Sequence, residues 1–154
     1  MVAWQLTIDA NDPYRLARFW GPALDYVPQP APEGFATWRE WYVSVGVPDE
    51  DFEDGADGCD RLMDPSGTGP NIWFQVVPEH KAGKNRLHVD LYPSGGRTVP
   101  LELRRERVDA KVAELVEAGA KVHKRFPEDF ERTDDSDAYF RVLQDPEGNE
   151  FCVA

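Results

Sequence analysis

Leu87-His88-Val89-Asp90 repeats the pattern of Leu6-Thr7-Ile8-Asp9, and Asp145-Pro146-Glu147-Gly148 repeats Asp64-Pro65-Ser66-Gly67. Both pairs are offset by the same 81 residues, from 6 to 87 and from 64 to 145. Four-residue matches arise easily by chance, but two landmarks holding one spacing point to a duplicated unit. In each copy the first landmark alternates like a strand and the second reads as a turn. Two copies of a small sheet can pack side by side and enclose a hollow, and function is expected there.

Working outward, the first copy opens with a strand over about Trp4–Asp9. Asp12 then caps a helix with Pro13 at its first position. Leu16, Phe19, Trp20, Ala23 and Leu24 share one helical stripe, and Gly21-Pro22 is expected to kink or end the helix early. Pro28, Pro30 and Pro32 predict an extended connection. Thr37-Trp38-Arg39-Glu40 has the form of a capping box, so a short helix follows with Trp38, Trp41, Tyr42 and Val45 on one face. It has no counterpart in the second half and reads as an inserted lid. Residues 49–60 hold seven acids and no base. A calcium loop fails because Asp54 stands where its glycine is needed, which leaves a solvated, mobile loop. Strands near Cys59–Met63 and over Asn71–Val77 complete the copy.

The second copy reads as a strand (Arg86–Tyr92), a helix (about Leu103–Ala118, ended by Gly119) and three strands (Lys121–Phe126, Ala138–Gln144, Glu150–Val153). Its helix is expected to bury Val108, Val112, Leu115 and Val116, and Pro127–Asp137 forms an acidic loop. The expected fold is therefore α+β. Two βαβββ modules, residues 1–80 and 81–154, form a curved mixed sheet as a half-barrel pair, with helices on the convex side.

The 154 residues carry a formal net charge of −12. Residues 1–80, with four arginines, no lysine and fourteen acids, carry −10; residues 81–154 carry −2. This balance repels phosphate backbones and anionic lipid, so neither nucleic acid nor membrane is an expected partner. No signal peptide or long apolar run is evident. Two cysteines, Cys59 and Cys152, fit reduced thiols in a cytoplasmic protein.

Period two assigns the faces. Leu6, Ile8, Leu87, Val89 and Leu91 are expected against the helices, with Ile72, Phe74 and Val76. Gln5, Thr7, Arg86, His88, Trp73, Gln75 and Cys152 then face the hollow. Each buried polar group without a partner costs about 1–3 kcal/mol, so these side chains either bond one another or line a wet cavity.

Leu6–Pro13 with Arg15–Trp20, Trp73–Glu79, Lys84–Leu91 and Asp145–Val153 together resemble the vicinal oxygen chelate superfamily. This is the glyoxalase, bleomycin-resistance and extradiol-dioxygenase group, and the chain resembles its glyoxalase-like proteins of unassigned function. The resemblance spans almost the whole chain and implies the paired βαβββ fold and a homodimer. Metal-dependent members place a ligand on the first and last strand of each module. Those places here are Gln5, Gln75, His88 and Cys152, although the repeat offset pairs Thr7, not Gln5, with His88. Two amides, an imidazole and a thiol match neither a zinc site nor an iron facial triad, so no cofactor is expected. The alternative is a divalent metal such as Zn, Fe, Ni or Mn.

The expected function is binding of a small, partly aromatic molecule without a strong metal site. Gln5, Thr7, Trp73, Gln75, His88 and Cys152 would line the site, and Trp38 and Trp41 would stack the ligand. The alternative is a divalent-metal-dependent lyase, isomerase or dioxygenase using His88. In an enzyme the catalytic candidates are His88 and Cys152, the latter only if His88 lowered its pKa.

Overall fold

In the computed structural model, which describes residues 3–128 and 138–154, local sequence signals build the first elements as expected. Strand β1 (Gln5–Ala10) leads to Asp12, whose carboxylate accepts the Arg15 N–H at 2.9 Å. Helix α1 (Pro13–Leu24) then buries Leu16, Phe19, Trp20 and Ala23 along one stripe. It does not break at Gly21-Pro22. Pro22 is exposed in the last turn, and the helix ends at Asp25 in the left-handed region (φ 57°). One backbone bond is lost, but the buried stripe runs on to Ala23 and holds the turn in place.

The remaining elements of this unit, residues 1–79, are β2 (Val27–Pro28), α2 (Trp38–Ser44), a single 3₁₀ turn (Asp49–Asp51), β3 (Arg61–Met63) and β4 (Asn71–Val76). The strand order is β1-β4-β3-β2. β1 and β4 run parallel, with Gln5 opposite Asn71 and Asp9 opposite Gln75, and the other pairs are antiparallel. Val27–Pro28, expected as a plain connection, is an edge strand paired with Met63 and Leu62. Proline is tolerated there because an edge strand needs only one set of backbone bonds.

The second unit, residues 80–154, has β5 (Asp90–Leu91), α3 (Leu101–Glu117), β6 (Lys121–Phe126), β7 (Phe140–Gln144) and β8 (Glu150–Val153). Its order β5-β8-β7-β6 reproduces the first sheet, with β5 and β8 parallel and Asp90 opposite Cys152. Each unit is thus a βαβββ module with an open four-stranded mixed sheet. α1 lies against β4 in one, and α3 against β7 and β8 in the other.

The repeated turns match in detail. The Gly67 N–H reaches the Asp64 carbonyl at 3.0 Å, and the Gly148 N–H reaches that of Asp145 at 2.9 Å. Both glycines have positive φ, 71° and 89°.

The cores hold Ile72 and Phe74 (0% exposed) in the first unit, and Val108, Leu115, Phe151 (1%) and Val153 in the second. Each fully buried side chain of this kind contributes about 1.5–3 kcal/mol. Several expected packing residues are not buried. Leu87 is 82% exposed and Val76 68%, and Val116 is also exposed. β5 is much shorter than the expected Arg86–Tyr92. Before Asp90 the chain is tied by Asn85, which bonds the Glu150 side chain (3.1 Å) and carbonyl (3.2 Å), and by the Val89 carbonyl, which accepts from Cys152 N. α3 buries Arg104 in the row where apolar residues were expected, with Nε donating to the Val99 carbonyl at 3.0 Å. The expected 127–137 loop lies mostly outside the described residues. Among those described, no helix is long and apolar enough to cross a membrane.

Candidate functional site

The first unit contains a pocket of about 590 Å³ whose walls come from four separate stretches of chain. Tyr14 sits in the first turn of α1, Tyr42 on α2, Phe52 and Asp60 on the acidic segment, and Trp73 and Gln75 on β4. The β1–β4 register sets Thr7 opposite Trp73 and Asp9 opposite Gln75. These side chains, and Gln5 with them, therefore share the sheet face away from Ile72 and Phe74. Gln5 Nε2 lies 3.4 Å from Thr7 Oγ1.

Asp60 organises the pocket floor. It is 7% exposed, and its Oδ2 accepts from the Tyr42 hydroxyl (2.7 Å) and Trp73 Nε1 (2.9 Å). Its Oδ1 has no hydrogen bond and faces Arg61 Nε at 3.4 Å. The Arg61 guanidinium lies between the rings of Trp38 and Trp73, 4.7 Å from each centroid. Burial, with the nearby Asp60 carboxylate adding to it, pushes the Tyr14 hydroxyl up to about 12. Burial likewise raises Tyr42, assisted by its bond to Asp60. Both phenols are therefore neutral hydrogen-bonding groups rather than bases.

The acidic segment, expected as a loose solvated loop, is stitched to α2. Arg39 Nε bonds Asp49 (2.7 Å), Nη1 bonds the Glu53 carbonyl (3.2 Å), and the Arg39 N–H bonds the Asp57 carbonyl (2.7 Å). Gly58 passes so close that a Cβ there would lie 2.7 Å from the Arg39 nitrogen. This stitching brings Phe52 and Asp60 inward. The other sequence-derived aromatics lie outside the pocket lining: Trp38 is buried with Nε1 on the Gln29 carbonyl (2.7 Å), and Trp41 packs edge-on against it at 5.5 Å.

The second unit gathers a different set. His88 Nε2 lies 3.2 Å from Asp90 Oδ1, and one ligand-type atom from each of His88, Asp90 and Cys152 lies within 4.8 Å of the others. Burial first, then Asp90, pushes the Cys152 thiol up from its ordinary value. That is opposite to the shift a free thiolate nucleophile needs. Cys59 and Cys152 are both free thiols.

The two registers settle which residues correspond. Asp9 opposite Gln75 matches Asp90 opposite Cys152, so by strand register Thr7, two residues before Asp9, corresponds to His88. Within the first unit Gln5 and Gln75 lie four residues apart along the paired strands, about 13 Å. The first-unit counterpart of His88, Asp90 and Cys152 is Thr7, Asp9 and Gln75, which has neither imidazole nor thiol.

A model of the glyoxalase-like domain matches residues 5–154. The chain belongs to the glyoxalase-like domain family. Solved structures similar to this glyoxalase-like chain include a member of the glyoxalase/bleomycin resistance/dioxygenase family. A family enzyme from Burkholderia phytofirmans PsJN is 17% identical, with 97% of this chain and 94% of that one covered and a TM-score of 0.54. The fosfomycin resistance protein FosX from Mesorhizobium loti is 10% identical over 99% and 92% (TM-score 0.54). A possible glyoxalase from Bacillus cereus is 14% identical over 99% and 97% (TM-score 0.53). At these identities the likeness is one of fold. No curated protein matches the chain.

Sequence reasoning placed Trp73 and Gln75 on the strand that lines the pocket, and it did not single out the other lining residues Tyr14, Tyr42, Phe52 and Asp60, nor Asp90 in the second unit. Asp90 was findable, because it shares period-two parity with His88. Nothing local marks Phe52 or Asp60.

Proposed function

We propose that this glyoxalase-like chain binds a small molecule with an aromatic or apolar body in the first-unit pocket, stacked on Trp73. The observation that supports this reading is a cavity of about 590 Å³ lined by Tyr14, Tyr42, Phe52 and Trp73, with a carboxylate at its floor. A cavity of this size and apolar lining suits a drug-sized ligand. The aromatic faces supply stacking, and the half-buried Gln75 offers an amide for orientation. Asp12, Asp51 and Asp60 border the pocket, no Lys, Arg or His does so among the described residues, and Arg61 beside Asp60 offsets only one of the three carboxylates. Anions are therefore disfavoured, and a neutral or cationic end is preferred.

Benzylamine, benzyl alcohol and benzoate share one body and differ in charge. Titrated against the chain, the first two should shift the Trp73 indole N–H resonance, and benzoate should not. Failure of all three to perturb that resonance, or binding that survives Trp73→Ala unchanged, would sink the proposal.

The second reading, a divalent-metal-dependent lyase, isomerase or dioxygenase using His88, gains from one observation: the imidazole, carboxylate and thiol gathered in the second unit.

A further inference from the structure

Resting on the pocket reading above, we infer that the first-unit cavity is an aromatic cage for a quaternary ammonium. The ligand of this chain then carries an alkylated cation without N–H groups beside its aromatic or apolar body.

Tyr14, Tyr42, Phe52 and Trp73 line the cavity, and among the described residues no basic side chain does. The face of an aromatic ring attracts a cation, and the attraction grows when the charge is stripped of water. Asp60 holds two of these rings in place. It accepts from the Tyr42 hydroxyl at 2.7 Å and from Trp73 Nε1 at 2.9 Å. A phenol and an indole that donate to a carboxylate are polarised toward greater electron density in the ring, which strengthens their pull on a cation. Two guanidiniums already rest on the same layer, Arg39 on Phe52 at 5.6 Å and Arg61 on Trp73 at 4.7 Å. Neither lines the cavity, and each is paired with a carboxylate, Asp49 or Asp60. The ring surface that borders the cavity is therefore left to a ligand.

Hydrogen bonding selects the kind of cation. A primary ammonium carries three N–H donors, and each needs an acceptor once water is removed. Asp60 has none to give: Oδ2 already serves two donors, and Oδ1 is fully buried beside Arg61 Nε. The Tyr42 hydroxyl is committed as well, donating to Asp60 and accepting from Arg61 Nη2 at 3.4 Å. Asp51 is exposed to solvent, and Asp12 caps α1 through the Arg15 N–H. The carboxylates thus supply negative charge more readily than free hydrogen-bond acceptors. A quaternary ammonium uses that charge and the rings, and leaves no donor unpaired.

The test titrates the full chain with benzyltrimethylammonium, benzylamine and benzyl alcohol, and follows the Trp73 indole N–H resonance. Benzyltrimethylammonium should bind at least about tenfold more tightly than either of the others. Choline should likewise outbind 3,3-dimethylbutan-1-ol, its neutral isostere, which separates charge from bulk. Tyr14→Phe keeps the ring and should keep the preference, whereas Tyr14→Leu and Phe52→Leu should each cut it severalfold. Benzylamine binding as tightly as the quaternary ion, or more tightly, overturns the cage in favour of ion pairing with the carboxylates. Benzyltrimethylammonium no tighter than benzyl alcohol, with the alcohol still bound, overturns the cage and leaves the pocket reading standing. Silence from every probe takes both down. The ranking of probes on the unmutated chain holds even if a variant folds poorly.

Discussion

Asp60 is the residue on which most of the first unit's polar chemistry converges. Its Oδ2 takes two donors, the Tyr42 hydroxyl and the Trp73 indole, while Arg61 lies against its Oδ1. Asp60→Asn keeps the shape but supplies a single carbonyl oxygen and turns an NH₂ toward Arg61 or toward the two donors. Either the Arg61 guanidinium loses its carboxylate or both donors lose their acceptor, so the variant should lose about 1–3 kcal/mol in urea unfolding. Unchanged stability would mean that water already satisfies those donors. Trp73→Phe is gentler, since it retains a ring but frees one Asp60 bond. It should cost less stability than Asp60→Asn while weakening the benzyl probes, a split measured by running unfolding and titration on the same samples.

At the scale of elements, α2 is held from both ends of its first turn. Thr37 Oγ1 accepts the Glu40 N–H at 3.1 Å, and Glu40 Oε2 accepts the Ala36 N–H at 2.8 Å. Thr37→Ala should cost about 0.5–2 kcal/mol. Because α2 carries both Tyr42 and Arg39, the same variant should lower probe affinity without touching the pocket lining; an intact affinity would show that the acidic segment holds its place without the cap. The caps, the α1 stripe and the paired turns were all legible in the sequence, because each is set by residues within one or two turns of one another. The break at Gly21-Pro22 was misread because local propensity was outweighed by burial of Trp20 and Ala23. The short β5 was misread for the converse reason: alternation in Arg86–Tyr92 was present, but Leu87 has no surface to pack against and stays exposed.

For the molecule as a whole, titration sets the stability window. Glu150 is held down at about 2 by the Asn85 N–H first and by Lys81 as well. Hydrogen bonds from the Ser66 hydroxyl, the Gly69 N–H and their neighbours pull Asp64 down further. A carboxyl with a depressed folded pKa stabilises the fold above its unfolded value and loses that contribution as pH falls through the folded one. Thermal midpoints should therefore drop between about pH 4.5 and 2, and Glu150→Gln should flatten part of that slope. At the other flank, burial holds Tyr14 and Tyr139 up to about 12. Their neutral forms stabilise the fold up to about pH 10, and that stability is lost as pH rises toward 12. A midpoint that stayed flat across either flank would contradict the corresponding hydrogen bonds or burial.

Sequence alone determined the duplicated βαβββ plan, the helix caps, the face of β4 that carries Trp73 and Gln75, and the acidic surface. These follow from period, spacing and charge, which a chain displays before it folds. Tertiary structure decided the chemistry. Tyr42, Phe52, Asp60 and Trp73 meet only because β3 pairs with β4 and Arg39 draws the acidic segment inward. His88 and Asp90 meet Cys152 only because β5 runs parallel to β8. Contacts between distant residues depend on which strands pair and in what register, and that choice is made by packing of the whole sheet rather than by any local run of residues.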